Sequence, residues 1–160
     1  MLARAGQSQQ QAHEADLIAR AVAALSLATL AVIHTVDLPA TLGPTPLVGI
    51  GYFGIIGAAM LAGAAMIVRS HWLVWAAAGG LAAFAMGGYI LTRALSGGFL
   101  GDHGDVGNWR CPLGIAALSV ETVIILLAAV WGAWRVRARA VRAAGPRRAL
   151  RSVPDYSSRG

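Results

Sequence analysis

Glu121 is the residue whose type and setting most clearly suggest chemistry. It lies eight positions into an apolar run that begins at Leu113, or about 12 Å along a helix that rises about 1.5 Å per residue. Placing a charge at mid-helix in a membrane costs roughly 2.5–3.5 kcal/mol, so the side chain is expected to face a bundle interior, together with Gly114 and Ala117. The sequence leaves two interpretations of Glu121 open, of which the functional one is a proton or cation site. The alternative is a structural carboxylate that is paired or hydrogen-bonded.

His34 and Arg93 lie near the ends of two other apolar runs. If the runs cross a membrane in alternating directions, both residues belong to the same outer half as Glu121 and the three can converge. An Arg93–Glu121 pair would lower the cost of inserting either charge. His34 is interpreted as a haem or metal ligand, a proton relay, or an ordinary hydrogen-bonded interfacial side chain. No second histidine is predicted at its depth, as a b-type haem would require.

Asp102, His103 and Asp105 stand close together in a glycine-rich segment, and Asp37 is predicted on the same side of the membrane. Carboxylate oxygens and imidazole nitrogens are common metal ligands, so these four residues are candidates for a metal site. The alternative is a loop whose Asp and Gly residues merely form turns. Because no nucleophile motif, P-loop, dinucleotide fingerprint or zinc-protease motif is present, the sequence names no cofactor and no enzyme class.

The composition requires an apolar solvent around most of the chain. Of the 160 residues, 57% are hydrophobic and 12% are charged, whereas soluble domains carry roughly 25% charged residues. A helix that crosses the hydrocarbon core needs about 20 predominantly apolar residues. Four runs satisfy this requirement, at 17–36, 47–68, 72–95 and 113–134. The sequence therefore predicts an all-α membrane protein, a four-transmembrane-helix bundle, with an N-terminal segment at 1–16 and a basic tail at 135–160.

The segments between these runs predict how the helices are connected. Residues 37–46 contain three prolines and are expected to form a loop. Residues 69–71 predict a tight reversal, which would make the second and third helices antiparallel neighbours. Residues 96–112 predict a longer connection. Gly145 and Pro146 are expected to end any helix that continues past the fourth run, with disorder beyond them.

Arginine placement predicts the orientation of the chain in the membrane. All 13 basic residues are arginine, and eight of them follow Trp134. The positive-inside rule then places both termini in the cytoplasm, and we expect a multi-pass protein of the plasma membrane. Such a stop-transfer flank explains the basic tail without a nucleic-acid partner.

Three of the tail arginines share one helical face: Arg135, Arg139 and Arg142. Anionic lipid headgroups attract a basic residue at the membrane surface by about 1 kcal/mol. We therefore expect these residues to contact anionic headgroups and to anchor the orientation of the chain. A docking site for a cytoplasmic partner is the alternative.

Small residues recur along the second and third runs at helical spacing. Ala59 and Gly63 are four positions apart, as are Gly79, Ala83 and Gly87. In lipid, helices associate through close packing of small residues, since burial of apolar surface gains little there. The pattern predicts packing within the monomer or, alternatively, the seam of a homo-oligomer or the surface for a membrane partner.

One part of the chain resembles small four-span membrane proteins of actinobacteria, most of which have no assigned activity. The resemblance rests on GYILTR at 88–93, DVGNW at 105–109, PLG at 112–114 and LSVE at 118–121. It implies the same bundle and a plasma-membrane location. It also implies that Arg93, Trp109 and Glu121 belong to one constellation on the outer side, but it implies no activity.

These observations leave functional hypotheses of different classes. The first is a non-enzymatic accessory or interaction component of the membrane, since the chain is small, has smooth packing faces and has few polar residues in its apolar runs. The alternative is a small proton- or metal-coupled transporter, or a redox membrane protein, that uses an outer cluster of Glu121, Arg93 and His34.

Overall fold

Four long helices make up most of the computed structural model, which describes residues 2–69 and 71–151. They are α1 (Leu2–Leu42), α2 (Pro46–Val68), α3 (Trp72–Ala94) and α4 (Pro112–Arg151). Each contains a stretch long and apolar enough to cross a membrane: Gln9–Leu42, Pro46–Val68, Trp72–Ala94 and Pro112–Val141. No strand occurs among the described residues. The predicted all-α bundle of four membrane-spanning helices is therefore confirmed, and the chain is a multi-pass membrane protein.

The helices pack side by side in a ring. α1 contacts α2 and α4, and α3 contacts the same two helices. At one end of the bundle, the Trp131 indole Nε1 of α4 donates to Asp16 Oδ1 of α1 at 3.3 Å, and Trp131 stacks on Trp75 of α3 with ring centroids 5.4 Å apart. We call this the terminal end. The loop end lies opposite and carries residues 43–45 and the loop at 95–111.

Small residues let the helices approach closely within the monomer. Ala59 of α2 is completely buried, and a Cβ added at Gly63 would lie 3.7 Å from Leu27 Cβ of α1. A Cβ at Gly79 of α3 would lie 2.9 Å from Ala128 Cβ of α4. These contacts agree with packing inside the bundle. Other glycines of α2 face open space, and an added Cβ meets nothing within 4 Å at Gly51, Gly54 and Gly57.

The prediction of a loop over residues 37–46 is wrong for most of its length. α1 continues through Pro39 to Leu42, and only residues 43–45 connect it to α2. A proline removes one backbone donor from a helix, here the one for the Thr35 carbonyl, and the nearby threonine hydroxyls bond to other carbonyls of the segment. Thr41 Oγ1 donates to the Asp37 carbonyl at 3.0 Å, and Thr45 Oγ1 donates to the Thr41 carbonyl at 2.9 Å. Pro46 occupies the start of α2, where no backbone donor is needed.

The predicted helix end at Gly145 and Pro146 is also wrong, because α4 continues to Arg151. Alanine and arginine surround this dipeptide, and both are among the strongest helix formers. The prediction of disorder beyond Gly145 fails as far as Arg151. Residues 152–160 lie outside the described part of the chain. α2 ends at Val68 and α3 begins at Trp72, so the connection between them falls at 69–71 as predicted; Ser70 lies outside the described part of the chain.

Arg20 joins α1 to the last turn of α2. Its Nε donates to the Met66 carbonyl at 2.8 Å, and its Nη2 donates to the Ile67 carbonyl. The last carbonyls of a helix have no partner within that helix, and a cation at this end also interacts favourably with the helix dipole. The arginine at the start of the first span therefore caps the neighbouring helix.

We predict that Arg20→Gln lowers the stability of the bundle by about 1–2 kcal/mol, because hydrogen bonds from a charged donor are among the stronger ones. Thermal unfolding in mild detergent, followed by tryptophan fluorescence, measures the change. Arg69→Gln is the matched control, since Arg69 is exposed near the same turn. Equal losses in the two variants would show that the capping contacts contribute nothing.

Candidate functional site

The loop-end half of the bundle contains a cavity of about 550 Å³. All four helices and the 95–111 loop contribute to its walls. Apolar side chains form much of the surface, and polar groups enter it from opposite sides. We call it the loop-end cavity. Among the predicted site residues, His34, Arg93 and Glu121 all line this cavity, so the structure brings these three together.

Glu121 lies on the inner face of α4, as its position in the apolar run predicted. Its side chain is 1% exposed, and Gly114 and Ala117 line the loop-end cavity beside it. Glu121 Oε2 is buried and has no hydrogen-bond partner among the described residues. A buried polar atom without a partner costs about 1–3 kcal/mol, and more when it carries a charge. Oε2 of this side chain is therefore buried at an energetic cost that no hydrogen bond from the described residues offsets.

The predicted Arg93–Glu121 pair is not formed, because Arg93 pairs with Asp105. The Arg93 Nη2 atom lies 3.0 Å from Asp105 Oδ2, and the side chain is only 7% exposed. Arg93 Nε donates to the Asn108 carbonyl at 2.8 Å, and Nη1 donates to Thr92 Oγ1 at 2.9 Å. Arginine presents its donors as a planar fork, and here the fork fastens the 95–111 loop to the end of α3.

The ring of Tyr89 packs against the guanidinium of Arg93. The Arg93 guanidinium carbon lies 3.6 Å from the centroid of the Tyr89 ring, within the range of a cation–π interaction. The ring itself lies directly on α4 at Gly114, where an added Cβ would come within 2.2 Å of Tyr89 Cε2. Glycine at position 114 is thus required by the close approach of the aromatic ring.

Trp109 does not reach the loop-end cavity. Its side chain is 48% exposed, and its main-chain carbonyl accepts a long hydrogen bond from the Tyr89 hydroxyl at 3.4 Å. The constellation implied by the resemblance therefore includes Arg93 and Glu121 at the cavity wall, whereas Trp109 lies on the outside of the loop. Its contact with that constellation runs through Tyr89.

The opposite wall of the cavity is built by α1 and α2. His34 Nδ1 lies 3.0 Å from the Leu30 carbonyl; since a carbonyl only accepts, Nδ1 carries the proton, and Nε2 of the neutral ring remains an acceptor. Tyr52 packs edge-on against His34, with ring centroids 4.7 Å apart, and its hydroxyl donates to Asp37 Oδ2 at 3.0 Å. Sequence reasoning missed Tyr52 and Tyr89. The available signal was a phenol within each apolar run, because a buried phenol requires a hydrogen-bond partner.

The four candidate metal ligands, Asp37, Asp102, His103 and Asp105, line the loop-end cavity. Among the described residues, no group of three or more His, Cys, Asp or Glu side chains is placed to hold a metal ion. Asp102 Oδ1 instead accepts from the Asp105 backbone N–H at 3.2 Å, and the His103 ring lies against Gly98, which has φ +73°. Together with Asp37, these residues stabilise turns and helix contacts, which was the alternative interpretation of their sequence pattern.

The wall of the loop-end cavity is acidic. It contains four carboxylates but one guanidinium, that of Arg93, and Asp105 already neutralises this guanidinium. Asp37, Asp102 and Glu121 remain without a cationic partner at the wall. Low-dielectric walls focus such a field and raise the local concentration of counter-ions. The arrangement is therefore suited to a cation or to a hydrogen-bond donor.

The predicted lipid-facing arginines lie at the other end of the molecule. Arg135 and Arg139 are exposed on α4 at the terminal end, and the Arg135 guanidinium carbon lies 4.5 Å from the Trp131 ring centroid. The side chain of Arg142 lies outside the described part of the structure.

Comparison of the chain with protein-family models, with curated proteins and with solved structures finds no match.

We predict that Arg93→Gln loosens the 95–111 loop, because Asp105 and the Asn108 carbonyl lose their charged donor. Chymotrypsin, which cleaves after residues such as Phe99 and Leu100, should then cut the detergent-solubilised protein at least about tenfold faster. A tenfold change corresponds to a decrease of about 1.4 kcal/mol in the free energy required to open the loop. Arg110→Gln is the control, since Arg110 is an exposed residue of the same loop. Unchanged cleavage in Arg93→Gln would mean that the contacts of Arg93 do not hold the loop.

Proposed function

We propose that this protein binds a small amphipathic cation in the loop-end cavity, with Glu121 as the anionic partner. The observation that carries the proposal is the buried, unpartnered Oε2 atom of Glu121 at the wall of a cavity of about 550 Å³. A ligand that brings a positive charge or an N–H donor to this oxygen would remove the cost of leaving it unpaired.

The shape and lining of the cavity support a ligand with an apolar body. Binding pockets for small molecules commonly measure about 300–1,000 Å³ and combine apolar walls with a few placed polar groups. Aromatic rings of Tyr52, Phe84 and Tyr89 line this cavity, and aromatic faces attract cations. The excess of carboxylates at the wall favours positive charge over negative charge.

Binding without transport is the activity that the geometry supports best. The terminal-end half of the bundle is filled by buried side chains, among them Leu27, Met66, Trp75 and Ile124. This packing separates the cavity from the other end of the bundle. We propose that the protein is an accessory or sensor-like component of the membrane that binds a ligand. This role takes the non-enzymatic character from the first hypothesis and the cluster of Glu121, Arg93 and His34 from the second.

We predict that Glu121→Gln weakens the binding of tetraphenylphosphonium at least about tenfold, or about 1.4 kcal/mol, because glutamine keeps the shape and removes the charge. Equilibrium dialysis of the protein in detergent measures the affinity. Tetraphenylborate, which has nearly the same shape and the opposite charge, should bind far more weakly to the unaltered protein.

Glu14→Gln is the matched control for this experiment, because Glu14 is an exposed glutamate on the same chain. It should leave the affinity for tetraphenylphosphonium unchanged. The proposal fails if the phosphonium and the borate bind equally well, or if Glu121→Gln retains full affinity while eluting as a folded species on size-exclusion chromatography.

We also propose that the protein resides in the plasma membrane with both termini in the cytoplasm. The distribution of arginine supports this orientation: eight of the 13 basic residues follow Trp134, and Arg20 lies at the same end as the start of this tail. The loop end, with its acidic cavity, would then face the outside of the cell.

We predict that a membrane-impermeant maleimide labels Ser96→Cys in intact cells and labels Gln9→Cys only after permeabilisation. Both variants are made in a Cys111→Ser background, since Cys111 is the one native cysteine. Ser96 and Gln9 are exposed at the loop end and on the N-terminal part of α1, respectively. The reverse labelling pattern would overturn the proposed orientation.

A further inference from the structure

A second concave surface lies at the terminal end, between α3 and α4. It is a groove of about 370 Å³ that shares no lining residue with the loop-end cavity, and its lining comes from these two helices alone. Trp72, Trp75 and Trp131 contribute to it, as do several glycines and alanines. We call it the α3–α4 groove. Neither Glu121 nor any other group of the loop-end cavity takes part in it.

Glycines determine the shape of the groove. Gly79 permits the close approach of α3 to Ala128, which draws the two helices together at the base. Gly80 and Gly132 also line the groove, and a Cβ added at either would meet no atom within 4 Å. The space beside these two glycines is therefore open, and its walls are apolar. In a bilayer an acyl chain is the natural occupant of such a space.

Two arginines stand at one end of the groove. Arg135 and Arg139 are four residues apart on α4 and line it together, so they lie on the same face of the helix. No carboxylate is among the residues that line the groove. The Trp131 ring under Arg135 is held in place by its stack on Trp75 and by its hydrogen bond to Asp16. The polar end of the groove is thus complementary to an anion.

Trp75 adds a second, independent indication of a ligand. Its side chain is 2% exposed and lines the groove, and its indole Nε1 has no hydrogen-bond partner among the described residues. A buried indole N–H usually finds an acceptor. A phosphate or glycerol ester oxygen in the groove would supply one. Tryptophan also prefers the level of lipid headgroups and ester groups in a membrane, which places the groove at the depth such a ligand requires.

We propose that the α3–α4 groove is a binding site for an anionic phospholipid. One acyl chain lies beside Gly80 and Gly132, the ester region meets Trp75, and the phosphate is held by Arg135 and Arg139. This site is independent of the cation proposed for the loop-end cavity, because it uses other helix faces and ligand chemistry of opposite charge. It goes beyond a general attraction of basic residues to the membrane surface, since it assigns one lipid to one groove.

Native mass spectrometry of the whole protein in detergent, titrated with phosphatidylglycerol or phosphatidylcholine, tests this site. We expect phosphatidylglycerol adducts to form at least about tenfold more tightly than phosphatidylcholine adducts. Arg135→Gln with Arg139→Gln should remove this preference, and Arg69→Gln, which deletes an exposed charge at the same end, should retain it. Glycerol 3-phosphate at millimolar concentration should not displace the lipid, because it carries the phosphate without the acyl chains.

Filling the groove gives a second test that leaves the charges in place. Gly132→Leu should reduce phosphatidylglycerol binding about tenfold, and Gly80→Leu provides the same test from α3 if the first variant fails to fold. Gly54→Leu is the control, since its side chain also enters open space but on α2. Equal binding of the two lipids, full binding by the double arginine variant, or displacement by glycerol 3-phosphate would each overturn the proposal.

Discussion

No water is available in the hydrocarbon core of a membrane, so each polar group there must find its partner within the protein. This constraint accounts for most of the polar contacts in the bundle. Arg20 caps α2 through two carbonyls, His34 bonds to the carbonyl one turn before it, and Tyr52 donates to Asp37. Arg93 distributes its donors over a carboxylate, a carbonyl and a hydroxyl. The His34 bond lies within α1, but the contacts of Arg20 and Tyr52 join α1 to α2, and those of Arg93 join α3 to the 95–111 loop. The same contacts that pair these polar groups thus also hold the bundle together.

Glu121 is significant because it departs from this rule. One of its oxygens is buried without a hydrogen-bond partner among the described residues, although Arg93 lines the same cavity. The guanidinium of Arg93 instead bonds to Asp105 and to the Asn108 carbonyl of the 95–111 loop, which lines the cavity. Burying an ionised carboxylate without a partner is costly. The cation proposed for the cavity would supply the partner that Glu121 Oε2 lacks among the described residues.

The sequence predicted the four spans, the inward orientation of Glu121 and the grouping of His34, Arg93 and Glu121, because these follow from helical periodicity and the cost of charge in lipid. It did not predict that Arg93 pairs with Asp105. That pairing depends on the fold of the 95–111 loop, in which Gly98, Leu100, Gly101 and Gly107 all have positive φ; such turns have no periodic signal. The helix ends predicted from Pro39 and Pro146 were wrong for a related reason. The helices continue past both prolines, so the residue type alone does not decide where a helix ends.

The two ends of the bundle carry opposite charge, and this asymmetry links orientation to binding. Carboxylates at the loop end outnumber the one guanidinium of the cavity wall, whereas arginines line the groove at the terminal end. Basic residues determine which end of a membrane protein stays in the cytoplasm, and the cytoplasmic leaflet is the one that carries anionic lipid. The same arginines are thus suited both to orient the chain and to hold an anionic lipid. The opposite end presents an acidic cavity wall. The two proposed sites have opposite charge preferences, and both agree with this one distribution of charge.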